Sequence, residues 1–163
     1  ALSSIDSCVS LGNTYPVVCV FDSDGRCLVN LLGSHSQNGW KSRYCSINLA
    51  CDEGENWLVS DTDGFARYFD IPIQYVPVKR VGDAEVSDSL RIKPSMFLLN
   101  EVFNRSNNPN IQSTMYIKKP FNKPATYNNY WPDYIQNHWN IETAATNSES
   151  LQRAINRTMR IFN

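Results

Sequence analysis

The sequence has no surplus of charge: 15 Lys and Arg stand against 16 Asp and Glu, for a formal net charge of −1. Gripping a phosphate backbone takes a basic face, so direct nucleic-acid binding is not expected. No apolar run approaches the roughly 18 residues that a spanning helix needs. The opening Ala1-Leu2-Ser3-Ser4-Ile5-Asp6 lacks the basic and apolar regions of a signal peptide. There is no Cys-x-x-Cys pair, and the two histidines, His35 and His138, stand 103 positions apart without ligand-type spacing. Neither a metal nor a cofactor is expected. The five cysteines, Cys8, Cys19, Cys27, Cys45 and Cys51, are odd in number and cannot form a closed disulfide framework, which points to free thiols in a reducing compartment. The sequons at Asn104 and Asn156 matter only in a secreted chain, which nothing else supports.

What is present fits one domain spanning residues 1–163, long enough for a real core. A first residue other than Met points to a piece cut from a longer polypeptide. Tyr15 to Val20 and Cys27 to Leu32 are β-rich runs, and Gly25 between them suits a hairpin turn. Gly33 to Gly39 is polar and turn-forming, a loop. Arg43 to Leu49, Trp57 to Ser60 and Phe65 to Phe69 read as strands, with Asp61-Thr62-Asp63-Gly64 as another turn. Ile71 to Val78 alternates apolar residues around two prolines, as a sheet edge does. Lys93 to Phe103 suits a strand or a short helix, and Ser113 to Lys119 a strand. Residues 122–140 are rich in Asn and aromatics without a sustained period, an ordered wrapping loop. Thr146 to Glu149 has the form of a capping box, and Leu151, Ala154, Ile155, Met159 and Phe162 share one helical face. The expected fold is therefore mainly β (α+β): an antiparallel meander with long wrapping loops and a C-terminal helix packed on the sheet.

Two constellations carry chemistry. Val17 to Gly25, an apolar strand ending in Asp22-Ser23-Asp24-Gly25, resembles the nucleophile motif of haloacid-dehalogenase-like phosphatases, with Gly82-Asp83 and Asp88 imitating their distal acidic motif. That chemistry needs a parallel sheet with crossovers, so in a meander Asp22 and Asp24 read as hairpin-tip residues bonded to nearby backbone. His35, Ser36 and Asp52 are the other set: an imidazole base, a hydroxyl nucleophile and an orienting carboxylate, the parts that acyl transfer requires. Adjacent side chains on a strand point to opposite faces, so His35 and Ser36 need a turn to meet, and the glycine-flanked loop supplies one. Trp40 and Trp57 read as core aromatics before they read as walls of a site.

His35-Ser36 as an adjacent pair, Asp52 placed 16 residues later and the size of the chain resemble the protruding domain of the large capsid protein of iflaviruses, picorna-like viruses of honey bees. The resemblance implies a domain on the virion surface, assembled in the host cytoplasm, that serves attachment and entry. It also implies an Asp-His-Ser set of the lipase, esterase or protease kind, here Asp52, His35 and Ser36. Its partners would be other capsid subunits of an icosahedral particle and a host receptor or membrane component. The alternatives are a purely structural or receptor-binding capsid domain without catalysis, and a small phosphatase built on Asp22 and Asp24.

Overall fold

The computed structural model describes residues 2–24, 30, 44–51, 53–77, 93–116 and 123–162. Among the described residues 61% are helical and 10% strand, which overturns the mainly-β meander. Backbone contacts divide the chain into two units, Ala1–Gly54 with Glu149–Asn163, and Glu55–Ser148.

The first unit holds α1 (Leu2–Leu11), β1 (Val17–Asp22), β2 (Cys45–Ala50) and the last helix of the chain, Glu149–Met159. The strands pair in parallel, Val17 opposite Cys45 through Asp22 opposite Ala50. The expected hairpin instead required β1 to pair antiparallel with Cys27–Leu32. Of that second arm only Asn30 is described, and it is helical. In-register partners share a sheet face, and so do residues two apart. One face therefore carries Cys19, Phe21, Cys45, Ile47 and Leu49, the other Val18, Val20, Ser46 and Asn48. The terminal helix packs against β2, and the Asn48 side-chain amide donates to the Thr158 hydroxyl at 3.5 Å. Leu151 and Ala154 are buried, whereas Met159 and Phe162, assigned from sequence to the same apolar face, are exposed. Thr146 does not open this helix; it lies inside the preceding one, where its hydroxyl donates to the Thr143 carbonyl at 2.7 Å.

Among its described residues the second unit holds helices and no strand. It contains α2 (Glu55–Val59), α3 (Thr62–Tyr68), α4 (Pro94–Phe97), which runs on through a π-helical turn at Leu98–Val102 and a 3-10 turn at Phe103–Arg105, α5 (Pro109–Met115), α6 (Trp131–Asn137) and α7 (Ile141–Asn147). The terminal Glu149–Met159 of the first unit is α8. Three of the segments read as strands are helical here, for identifiable reasons. A period of two groups Arg67 with Phe65 and Phe69, but Arg67 is exposed. The buried set is Phe65, Ala66 and Phe69, spaced as on a helix. Asp61, read as a turn residue, is the N-cap of α3: its Oδ1 accepts from the Gly64 N–H at 3.2 Å. Ser113 falls within α5, which Asn108 caps and Pro109 opens. At Ile71–Val78 the alternation fails: Ile71 and Val76 are buried, Ile73 and Tyr75 exposed. A 3-10 turn at Ile73–Tyr75 closes with the Val76 N–H donating to the Ile73 carbonyl at 3.1 Å.

The expected wrapping loop is a 3-10 turn at Ala125–Asn129 followed by α6, and it brings Tyr127, Trp131 and Tyr134 into the core at helical spacing. There they meet Phe65, Phe69 and Phe103. Phe65 and Tyr134 lie edge to face at 6.0 Å, Phe69 and Phe103 at 5.1 Å, and Tyr127 and Trp131 at 5.4 Å, the geometry in which ring quadrupoles attract.

Asp61 does more than cap α3. It is buried, and its Oδ2 accepts from the Asn140 N–H at 2.7 Å, while Asn140 caps α7 by accepting from the Thr143 N–H at 3.0 Å. Asp61→Ala should therefore cost about 2–4 kcal/mol, a lost cap plus a stranded buried N–H. A Cβ on Gly64 would stand 2.1 Å from Asp61 Oδ2, so Gly64→Ala should destabilise comparably, by about 2 kcal/mol or more; urea unfolding of both variants checks this. Alkali is the second test. Burial, then the neighbouring Asp133 carboxylate, pushes the Tyr68 phenol up to about 12, and burial, then the charge of Asp61, raises that of Tyr134. Unfolding releases ordinary phenols that ionise near pH 10, so these two groups leave stability intact below that pH and erode it as the pH climbs toward their folded values. Stability measured across that range should fall in the wild type and fall less steeply in Tyr134→Phe.

Candidate functional site

Parallel strands gather their carboxyl ends on one side, where α/β proteins place their chemistry. Here β1 ends at Asp22 and β2 at Ala50, in register. The Ser23 N–H donates to the Ala50 carbonyl at 3.1 Å, extending the ladder one residue past the strands. Next, the Glu53 N–H donates to the Cys51 carbonyl at 2.8 Å, and the Gly54 N–H donates to Asp22 Oδ1 at 2.8 Å. The chain leaving β2 is thus tied back to the end of β1 by a charge-assisted bond. Ser23 and Glu53 are buried at this end. Asp24 has a φ of 52°, a left-handed conformation that Asp tolerates better than most residues.

His35, Ser36 and Asp52 all lie outside the described residues, as do Trp40, Asp83 and Asp88. His35 and Ser36 belong to the span linking β1 to β2, and Asp52 falls between Cys51 and Glu53, which the hydrogen bond above joins. Trp57 is a core residue of the second unit.

For Asp22 and Asp24 the parallel pairing meets one part of what the phosphatase resemblance requires, since Asp22 does end a parallel strand; the described residues hold a two-stranded sheet, not the doubly wound sheet with crossover helices of that family. The hairpin-tip role is replaced by a specific one: Asp22 clamps Gly54. The signal for this was the carboxylate at the end of an apolar run, read with the wrong partner strand. Among the described residues, no group of three or more His, Cys, Asp or Glu is arranged to hold a metal. No described helix is long and apolar enough to cross a membrane.

The other chemically active set is thiol. Cys19 and Cys45 share one face of the sheet, and α1, which carries Cys8, packs against both strands; Cys8, Cys19 and Cys45 are in no disulfide. Burial, with both neighbouring thiols, pushes Cys19 up to about 12, and burial raises Cys45. Sequence reading counted these cysteines without grouping them, because only the parallel register puts Cys19 and Cys45 on one face.

The chain matches no known protein family, and no curated protein or solved structure is similar to it. No family, relative or structural neighbour identifies the chain as an iflavirus capsid domain, and the β character expected of one is overturned.

Asp22→Ala should release the Gly54 amide. With about 1 kcal/mol for a hydrogen bond at an exposed edge, its hydrogen exchange should quicken roughly fivefold while the Phe65 amide in α3 keeps its protection.

Proposed function

We propose that this chain is a surface-protruding domain of a viral capsid protein, serving attachment to a host receptor or membrane component, and that it carries an ester- or amide-hydrolysing set made of Ser36, His35 and Asp52. In the reaction the Ser36 hydroxyl attacks the carbonyl carbon. His35 takes the hydroxyl proton and returns it to the leaving group, and Asp52 orients the imidazole and stabilises its charged form. Water then repeats the sequence to free the acyl group. The observation that carries this reading is the tether at the carboxyl end of the strands: Gly54 on Asp22 and Glu53 on Cys51 hold the residues on both sides of position 52, which is what an orienting carboxylate needs from its scaffold. Other capsid subunits are the remaining partners, on the outer face of a particle assembled in the host cytoplasm. The near-neutral charge suits an outward-facing domain that does not touch the genome.

A second reading has one observation in its favour. Asp22 ends a parallel strand with Asp24 two residues on, the placement that an aspartate-nucleophile phosphatase requires; it calls for magnesium-dependent phosphate-ester hydrolysis that Asp22→Asn abolishes.

Labelling of the purified chain with a fluorophosphonate separates these. Hydrolytic use of Ser36 predicts labelling that disappears in Ser36→Ala and drops at least a hundredfold in His35→Ala and Asp52→Ala, with folding retained. Labelling that survives Ser36→Ala, or none in the wild type, rejects the hydrolytic half and leaves an attachment domain without catalysis.

A further inference from the structure

One face of the two-stranded sheet is covered over only half its width. Register partners share a face, so Val18 lies beside Ser46 and Val20 beside Asn48. On β2, against which α8 packs, Ser46 and Asn48 are buried, at 4% and 1% exposure; one strand over, Val18 and Val20 stay 45% and 50% exposed. The backbone of β1 is open as well. In a parallel pair alternate residues turn both their N–H and their C=O toward the partner strand. The Val17 N–H donates to the Tyr44 carbonyl at 2.7 Å and the Ser23 N–H to the Ala50 carbonyl, so the odd-numbered residues of β1 face β2. The N–H and C=O groups of Val18 and Val20 therefore point away from β2, and neither residue has a hydrogen-bond partner on that side among the described residues.

We propose that two copies of this chain join through that edge, β1 of one lying antiparallel to β1 of the other about a two-fold axis that passes between the two Cys19 residues. Val18 of each copy then stands opposite Val20 of the other, and the two pairs exchange four N–H···O=C bonds. The axis is perpendicular to the sheet, so the valine-bearing faces of both copies lie on the same side. Two sheets of two strands become one of four, and four valines form a continuous apolar strip between the two copies of α8.

A second copy is the strand that fits this edge. Val-Val-Cys-Val-Phe-Asp, the sequence of β1, carries no Lys, proline or bulge of the kind that keeps edges apart, and no charge along its length that would select a foreign peptide. It is its own complement, because Val18 and Val20 are the same residue, exposed to the same degree on the same face, as an isologous two-fold contact requires. Charge sets the direction. Asp22 is the one charged residue of β1. In the antiparallel register it falls opposite Pro16, six residues and about 20 Å from its counterpart, well beyond the screening length of about 8 Å at physiological salt; parallel pairing would set the two carboxylates side by side. A net charge of −1 lets the copies approach. One strand pair with one valine strip is a small interface, so the dimer dissociates with a Kd on the order of 10–100 μM.

Sedimentation equilibrium of the intact chain between about 5 and 500 μM tests this, and should show a reversible monomer–dimer equilibrium that stops at two copies. Val20→Lys, a change at a half-exposed edge position, should weaken association at least tenfold with the fold retained, and Val20→Ile should preserve it. Amide hydrogen exchange on the wild type locates the contact without any variant: the Val18 and Val20 N–H groups should exchange at least fivefold more slowly at the upper concentration than at the lower. A chain that stays monomeric at 500 μM, association that continues past the dimer or ignores Val20→Lys, or a dimer in which the Val18 and Val20 amides exchange as fast as in the monomer would each overturn the proposal.

Discussion

A carboxylate buried in protein must find hydrogen-bond donors, and Asp61 finds them in two places far apart in sequence. One oxygen takes the Gly64 N–H in the first turn of α3; the other takes the Asn140 N–H at the head of α7. Both donors belong to backbone whose orphaned N–H groups would otherwise be costly to bury. The arrangement extends outward. Asn140 in turn caps α7 through Thr143, and at the far end of that helix the Asn147 amide donates to the Ser60 carbonyl at 2.9 Å. Both ends of α7 are thereby fastened to the Ser60-Asp61 pair. The Tyr134 hydroxyl donates to the Leu58 carbonyl at 3.1 Å, tying α6 to the same stretch. The aromatic core of the second unit, from Phe65 to Tyr134, is held in register by this one polar junction. The charge that makes Asp61 a strong acceptor also helps to keep the Tyr134 phenol neutral.

How much of this could be read in the sequence depended on which signal was weighed. Phe65 and Phe69 obey a period of two and a period of four equally, and the β-rich look of the first eighty residues tipped the reading toward strands. The deciding marks were smaller. Asp61 three residues before Gly64, Asn108 before Pro109 and Asn140 three before Thr143 are helix starts, caps whose side chains accept backbone N–H groups. The proline opening α5 and the one in the first turn of α6 say the same. Asp61 reads equally as turn chemistry between strands and Asn140 as the end of a wrapping loop, because a loop and a helix N-cap ask the same thing of an Asp or Asn. Likewise Tyr127, Trp131 and Tyr134 are spaced by four and three, a helical stripe hidden among asparagines. The terminal helix was legible because Leu151 and Ala154 fit only one period, but its start was misplaced: Thr146 bonds back into α7.

In the first unit the strands themselves were visible, since Val17 to Asp22 and Cys45 to Ala50 are apolar, β-branched or alternating. Their pairing was not. Strand direction is set by the connection, and residues 25–43 between the two strands carry turn residues that suit a hairpin as well as a crossover. That one error changed the meaning of the candidate residues. With antiparallel pairing, Asp22 sits at a hairpin tip; with parallel pairing it stands beside the carboxyl end of β2 and becomes the acceptor for Gly54. The same pairing thus gives Asp22 a structural role, holding the backbone at Gly54 after β2.

Parallel pairing also explains why thiols and carboxylates lie at different places on one small sheet. Two parallel strands cannot cover their own faces, so helices must. Cys19 and Cys45 share one face of the sheet, Cys19 buried and Cys45 half-buried. At the carboxyl end of the strands Ser23 and Glu53 are buried, while the Asp22 carboxylate is exposed and bonded to backbone. Cys19 and Asp22 are three residues apart on β1 and point to opposite faces of the sheet.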